Sequence, residues 1–221
     1  MANYTIRLTN ILDSLTDKKR EINAEGFVIK HNGNKFIVSV THFCPIIKTY
    51  IDISEKKELE QSTNVLWNEL AIYKCPEEKY VLNLKVIKSF RTRFLEKDNK
   101  ILFYINNIKT ECINIGYEIM SMCIHNNYYQ KFIIKKRVAP YDIDTYQGLS
   151  GSPIFDNDHN LIGIFCKISI DKQADVLYGY ALPVIYLIKS LLKTDNENLY
   201  YLDIKSYKNI KISKYEVKTK S

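Results

Sequence analysis

Ser150 stands in the run Gly148-Leu149-Ser150-Gly151-Ser152-Pro153. Acyl transfer requires an exposed hydroxyl and backbone N–H groups aimed at a developing oxyanion. A glycine two residues before the serine lets the chain turn sharply and present its N–H beside that of the serine. The glycine after it lets other groups approach closely. Taken alone, Gly-x-Ser-Gly is also an ordinary turn between strands. The α/β-hydrolase elbow, Gly-x-Ser-x-Gly, is a poorer match, because position 152 is serine and the flanking pattern is all-β. Two further side chains complete a chemical set. His42 follows Thr41 at the end of an apolar run, where a lone histidine is more often structural. Glu69 precedes the short apolar run Leu70-Ala71-Ile72. A carboxylate so placed could hold an imidazole tautomer and stabilise the imidazolium that forms; in isolation it reads as a surface acid.

These residues need rigid elements beneath them, and the chain supplies short strands. Residues 26–33 and 34–41 are two β-rich runs about a His31-Asn32-Gly33-Asn34 turn, a hairpin pattern. Residues 46–53 alternate as a third strand, and the charged stretch 55–62 reads as a loop. Residues 65–67 and 70–73 read as short strands, and 80–88 alternate again. The β pattern returns from about residue 100 and runs to Pro183, with a turn at 156–160. Near-regular strand spacing predicts a sandwich or barrel. Only residues 184–194 repeat apolar residues at helical spacing. Residues 4–20 fit strand or helix equally.

Composition bounds the class. The chain has 221 residues, 46% of them hydrophobic, so a sizeable core can form. Its Lys-, Asn-, Ile- and Tyr-rich usage resembles that of AT-rich coding sequences, as in large DNA viruses or protists. The net charge of +7 favours anionic partners, although a solvated lysine-rich surface is the simpler account. Five cysteines (Cys44, Cys75, Cys112, Cys123, Cys166) form neither a CxxC pair nor a regular framework, so free thiols in a reducing compartment are expected. No signal-peptide-like stretch opens the chain and no run of transmembrane length occurs. A cytoplasmic or virion-associated protein without a membrane partner is the resulting expectation. His31, His125 and His159 lie in turn-like contexts without metal-ligand spacing, so no metal or other cofactor is expected. Lysines 205, 208, 211 and 214 recur every third residue in the tail. That tail is a frayed end or a basic arm for nucleic acid or acidic protein.

The order Gly–strand–turn–strand–Thr–His, then acid–apolar–Ala, then Gly-x-Ser-Gly-x-Pro resembles the trypsin-like serine peptidase family. Gly148 to Pro153 is nearest to its glutamyl-endopeptidase branch. Tyr178-Gly179-Tyr180-Ala181-Leu182-Pro183 resembles the end of the second barrel in HtrA-like intracellular members. The resemblance spans about residues 24–195 and is strongest over 146–195. It implies an all-β, chymotrypsin-like fold of two six-stranded antiparallel β-barrels packed together, with a short C-terminal helix. The implied division is an N-terminal extension (1–23), a first barrel (24–90), a second barrel with the helix (91–195) and a basic tail (196–221).

The same resemblance implies serine endopeptidase activity on protein or peptide substrates. Ser150 would be nucleophile, His42 base and Glu69 acid, with Asp52 as the fallback acid. The N–H groups of Gly148 and Ser150 would form the oxyanion hole. Asp144, Tyr178 and Gly179 would contact substrate, Asp144 selecting Lys or Arg. Glu69 departs from the family's aspartate. Leu149 replaces the acidic residue that captures a new N-terminus in zymogens, so that activation switch is not expected. The alternative is a catalytically weak or inactive protease-fold protein serving as a structural or binding module, for example in a virus particle. A nucleic-acid binder is a third reading, without a recognition motif to support it.

Overall fold

The computed structural model describes residues 3–12, 20–41, 46–52, 57–65, 69–76, 78–105, 108–121, 126–134 and 146–195. Thirteen strands are followed by one helix. The first seven are β1 (Thr5–Leu12), β2 (Arg20–His31), β3 (Asn34–Val40), β4 (Ile46–Asp52), β5 (Lys57–Glu58), β6 (Gln61–Val65) and β7 (Leu70–Lys74). They pair antiparallel in one sheet, in the order β5-β4-β1-β2-β3-β7-β6. The remaining six are β8 (Lys100–Ile105), β9 (Ile108–Ser121), β10 (Asn126–Ile134), β11 (Pro153–Phe155), β12 (Leu161–Asp171) and β13 (Val176–Pro183), which close a barrel in the order β10-β13-β12-β11-β8-β9. All thirteen strands lie in one compact unit that ends at Val184; nearly all of helix α1 (Val184–Asp195) belongs to a second unit.

The fold class is thus the all-β, chymotrypsin-like one expected, with one closed six-stranded barrel and one curled seven-stranded sheet in place of a second closed barrel. The hairpin at 26–41 forms as its turn chemistry dictates. Asn32 and Gly33 both take positive φ (46° and 83°), the conformation that a two-residue Asn-Gly turn needs. Three stretches differ from expectation. β1 falls within the region read as an N-terminal extension, yet it lies inside the sheet, between β4 and β2. The charged stretch 55–62 contributes β5 and the start of β6. Residues 80–88 form no strand despite their alternation. A 3-10 turn at Glu78–Tyr80 precedes them, and Ile87 makes a single bridge to Ile29. Their alternation reflects one-sided burial of a connecting segment, with Val81 and Ile87 buried and Leu82, Lys85 and Lys88 exposed.

The two cores differ in kind. The barrel is filled by Phe103, Phe132 and Phe165, with Phe103 and Phe165 centroids 4.7 Å apart. Each fully buried ring contributes about 2–3 kcal/mol of burial free energy. The sheet surrounds a smaller core around Leu8, Val28, Ile37 and Ala71. It also carries a buried polar chain, in which Tyr73 and Thr49 hydroxyls lie 2.9 Å apart and Thr49 donates to Asn10 Oδ1 at 2.7 Å. β4 and β7 are separated by three strands in the pairing order, so this bond crosses the concave side of the curl.

Candidate active site

Val40 pairs with Leu70 at the end of the β3–β7 ladder, so the chain positions just beyond, 41 and 69, meet at one edge of the sheet. Thr41 N–H donates to Glu69 O at 2.9 Å. Glu69 itself has φ 59°, a left-handed conformation that costs a non-glycine residue about 1 kcal/mol. That turn directs its side chain away from the β7 alternation and into the protein, where it is 1% exposed. His42, the next residue after Thr41, lies outside the described residues.

Ser150 belongs to the second barrel. Its turn is held by main-chain bonds: Ser152 N–H to Leu149 O at 3.0 Å, Gly151 N–H to Phe165 O at 2.8 Å and Phe165 N–H to Ser152 O at 2.8 Å. Gly148 and Gly151 have φ 80° and 97°, so both glycines occupy conformations that other residues rarely adopt. A Cβ on Gly151 would lie 1.9 Å from Glu25 O and 2.6 Å from Ser39 Oγ. The turn is therefore pressed against β2 of the sheet, and Glu25 N–H donates to Ser150 O at 2.8 Å. Ser152 Oγ adds bonds to Leu149 O at 2.5 Å and to a carboxyl oxygen of Glu25. Among the described residues, no backbone carbonyl accepts from the N–H of Gly148 or Ser150. Those two groups are the pair expected to receive an oxyanion.

Ser150 and Glu69 meet at Cys166. β12 and β13 slip register between Phe165 and Lys167, which leaves Cys166 as the extra residue of a bulge. A bulge re-aims the residue it carries and frees it from the ladder. Ser150 Oγ donates to Cys166 O at 2.9 Å, and the Cys166 thiol, which donates to Ile164 O at 3.4 Å, stands near enough to the Glu69 carboxyl for each to shift the other's protonation. From β10, the Tyr129 hydroxyl donates to Glu69 Oε2. Burial pushes the Glu69 carboxyl from its ordinary 4.5 up to about 7, against the opposing effects of the Tyr129 bond, Lys167 and Cys166. Burial, then the nearby carboxyl, holds the Tyr129 phenol far above its usual range, so it stays a donor. The Cys166 thiol is raised for the same reasons and stays protonated, which disqualifies it as a nucleophile.

The remaining expected residues divide. Asp144 lies outside the described residues. Asp52 ends β4, three strands removed from β7 in the pairing order. Tyr178 is half-buried on β13, with Lys131 Nζ 4.7 Å from its ring centroid. Gly179 is buried on β13, where a Cβ would lie 2.3 Å from Phe132 Cε2, so the packing of that ring requires a glycine. Cys112 and Cys166 are free thiols, Cys75 is half-buried, and Cys44 and Cys123 lie outside the described residues. Sequence reasoning missed Tyr129 and Cys166. Nothing in the run Tyr128-Tyr129-Gln130 or in Phe165-Cys166-Lys167 marks one residue as inward-aimed, because a register slip has no local signature. No described helix is long and apolar enough to cross a membrane.

No protein-family model matches the chain, and no curated protein sequence does. Solved structures do. The active form of the Rv3671c protease from M. tuberculosis superposes with a TM-score of 0.54 at 14% identity, over 81% of this chain and 75% of that one. The HtrA-type protease AlgW with a tripeptide gives 0.58 at 15% identity, over 89% of this chain and 61% of that one. AlgW with a decapeptide gives 0.55 at 14%, over 86% and 64%. The chain therefore shares its fold with HtrA-type serine proteases.

Proposed function

We propose that this chain is a serine endopeptidase whose nucleophile is Ser150, base His42 and acid Glu69. The observation that carries the reading is the meeting of Ser150 and Glu69, from different β-halves, on the single bulged residue Cys166. Ser150 Oγ attacks a peptide carbonyl while the imidazole takes its proton and returns it to the leaving amine. The N–H groups of Gly148 and Ser150 receive the negative oxygen. Glu69 orients the imidazole and stabilises its charged form, for which it must be ionised. Peptide ligands bound to AlgW support a peptide or protein substrate here, and Asp144 would favour Lys or Arg before the scissile bond.

One observation favours a second reading, a non-catalytic binding module of the same fold. Ser150 Oγ spends its proton on the Cys166 carbonyl, which cannot act as a base, and the Glu69 carboxyl is engaged by Tyr129. A fluorophosphonate probe separates the two. The endopeptidase reading expects covalent labelling of the full chain, abolished by Ser150→Ala with folding intact. A folded wild-type chain that takes no label while a control protease does would establish the binding-module reading instead.

A further inference from the structure

Strand β11 leads away from the Ser150 turn, and a cleft of about 620 Å³ opens beside Phe155 at its far end. Its rim carries Lys30, Lys35, Lys85, Lys88 and His159, and among the described residues no carboxylate lines it. Tyr4 and Phe155, both buried, form part of its wall with ring centroids 4.8 Å apart.

Three separate parts of the chain bring these side chains together. Lys30 and Lys35 are directly opposite partners across the β2–β3 hairpin. Like charges in that relation repel and destabilise the pair. Lys85 and Lys88 arrive on the segment between the sheet and the barrel, which is tied to β2 by Ile87 N–H to Val28 O at 2.9 Å and Lys30 N–H to Ile87 O at 3.3 Å. His159 comes from the β11–β12 turn, held in a left-handed conformation with φ 60°. Main-chain pairing, and not solvent-driven drift, thus fixes four ammonium stems around one concavity. Such a concentration of one sign, with apolar walls, focuses the field and raises the local concentration of an anion.

We propose that this cleft is a binding site for a small polyphosphate-type anion, one bearing two or more linked phosphate groups. Its volume is that of a small-molecule site. Its cations are all lysines. These act as point charges suited to phosphate, whereas carboxylate recognition favours the planar arginine fork, which is absent from the lining. The proposal is independent of the protease reading, and its test reads binding alone.

Titration calorimetry of the full chain with sodium tripolyphosphate at about 0.1 M ionic strength, where the Debye length is about 10 Å, is the experiment. We expect saturable one-to-one binding that weakens as salt is added. Lys30→Gln with Lys88→Gln should weaken it at least about ten-fold, as expected for removing two of four point charges at one site. Lys97→Gln with Lys172→Gln, exposed lysines outside the cleft, should change it less than about two-fold, because surface charges beyond a Debye length are screened. Unchanged thermal midpoints show that each variant is folded. Absence of saturable binding, or equal weakening by both pairs, overturns the proposal. Tighter capture of an oligoglutamate peptide or of single-stranded oligothymidylate through Lys30 and Lys88 also overturns it, in favour of a macromolecular partner.

Discussion

The closed barrel and the curled sheet each lend one side chain to the site, and they hold it by different means. The barrel presents Ser150 on a turn locked by three main-chain bonds and two left-handed glycines. Behind that turn stands an aromatic core. The sheet presents Glu69 on one left-handed residue at a strand end, and what steadies its carboxyl comes from the other half, the Tyr129 hydroxyl. The proposed nucleophile is thus held by backbone geometry and main-chain pairing, both inside the barrel and against β2 of the sheet. The proposed acid is held by burial and by the Tyr129 hydroxyl from the barrel. Perturbing the first should behave as a folding defect, and perturbing the second as an electrostatic one.

The sharpest break comes at the acid. Glu69→Gln should lower turnover by about 10³–10⁴-fold while leaving the fold intact, because a neutral amide cannot stabilise the imidazolium. Steady-state cleavage of a peptide substrate reads this, and unchanged turnover would reject Glu69 as the acid. The same variant tests the linkage. The Glu69 pKa rises from about 4.5 unfolded to about 7 folded, so the native state binds the proton more tightly. Its contribution to stability is therefore greatest below about 4.5 and is lost as pH rises to 7, by on the order of 3 kcal/mol. With Glu69 as the proposed acid, turnover should move in the opposite direction, rising as Glu69 ionises. Urea midpoints at pH 5 and pH 8 should differ less in Glu69→Gln than in the wild type.

Gly151→Ala addresses the other side of the comparison. A methyl group placed 1.9 Å from Glu25 O, at φ 97°, forces the turn off β2. We expect a loss of about 3 kcal/mol in stability, together with activity, at every pH. Thermal unfolding checks it, and a midpoint equal to the wild type's would show that the turn is not pressed on the sheet. The smallest effect is expected for Tyr129→Phe, which removes one hydroxyl from a buried carboxylate. Turnover should fall about ten-fold, the equivalent of one charge-assisted hydrogen bond of about 1.5 kcal/mol. Because that bond favours the ionised carboxyl, the rising limb of the pH–rate profile should move to higher pH. A fall in turnover without that movement would reduce Tyr129 to a packing role.

Much of this architecture was legible before the structure. The Asn32-Gly33 turn needs positive φ at both residues, and Asn-Gly supplies it, so the hairpin and its register follow locally. The alternation of β8 to β13 and the helical spacing of 184–194 likewise follow from local pattern. The stretch 80–88 misled because alternation records which side is buried, not whether a neighbouring strand pairs. β1 was undecidable because its apolar spacing over 4–20 suits either period until a partner strand is present. Gly179 shows a related limit: a glycine in a strand signals close approach, but not by what. Here the approaching group is the Phe132 ring.

The sequence alone determined the local geometry around residue 150, since glycines at 148 and 151 permit backbone angles that a side chain would forbid. It also determined that a strand ends at 41 and another begins at 70. What only the tertiary structure decided is who stands beside Glu69. Its raised pKa, its bond from Tyr129 and its proximity to Ser150 through Cys166 arise from a register slip in β12 and from contact between two halves of the chain. Such terms depend on long-range packing and on exclusion of water, and no short stretch of residues encodes either.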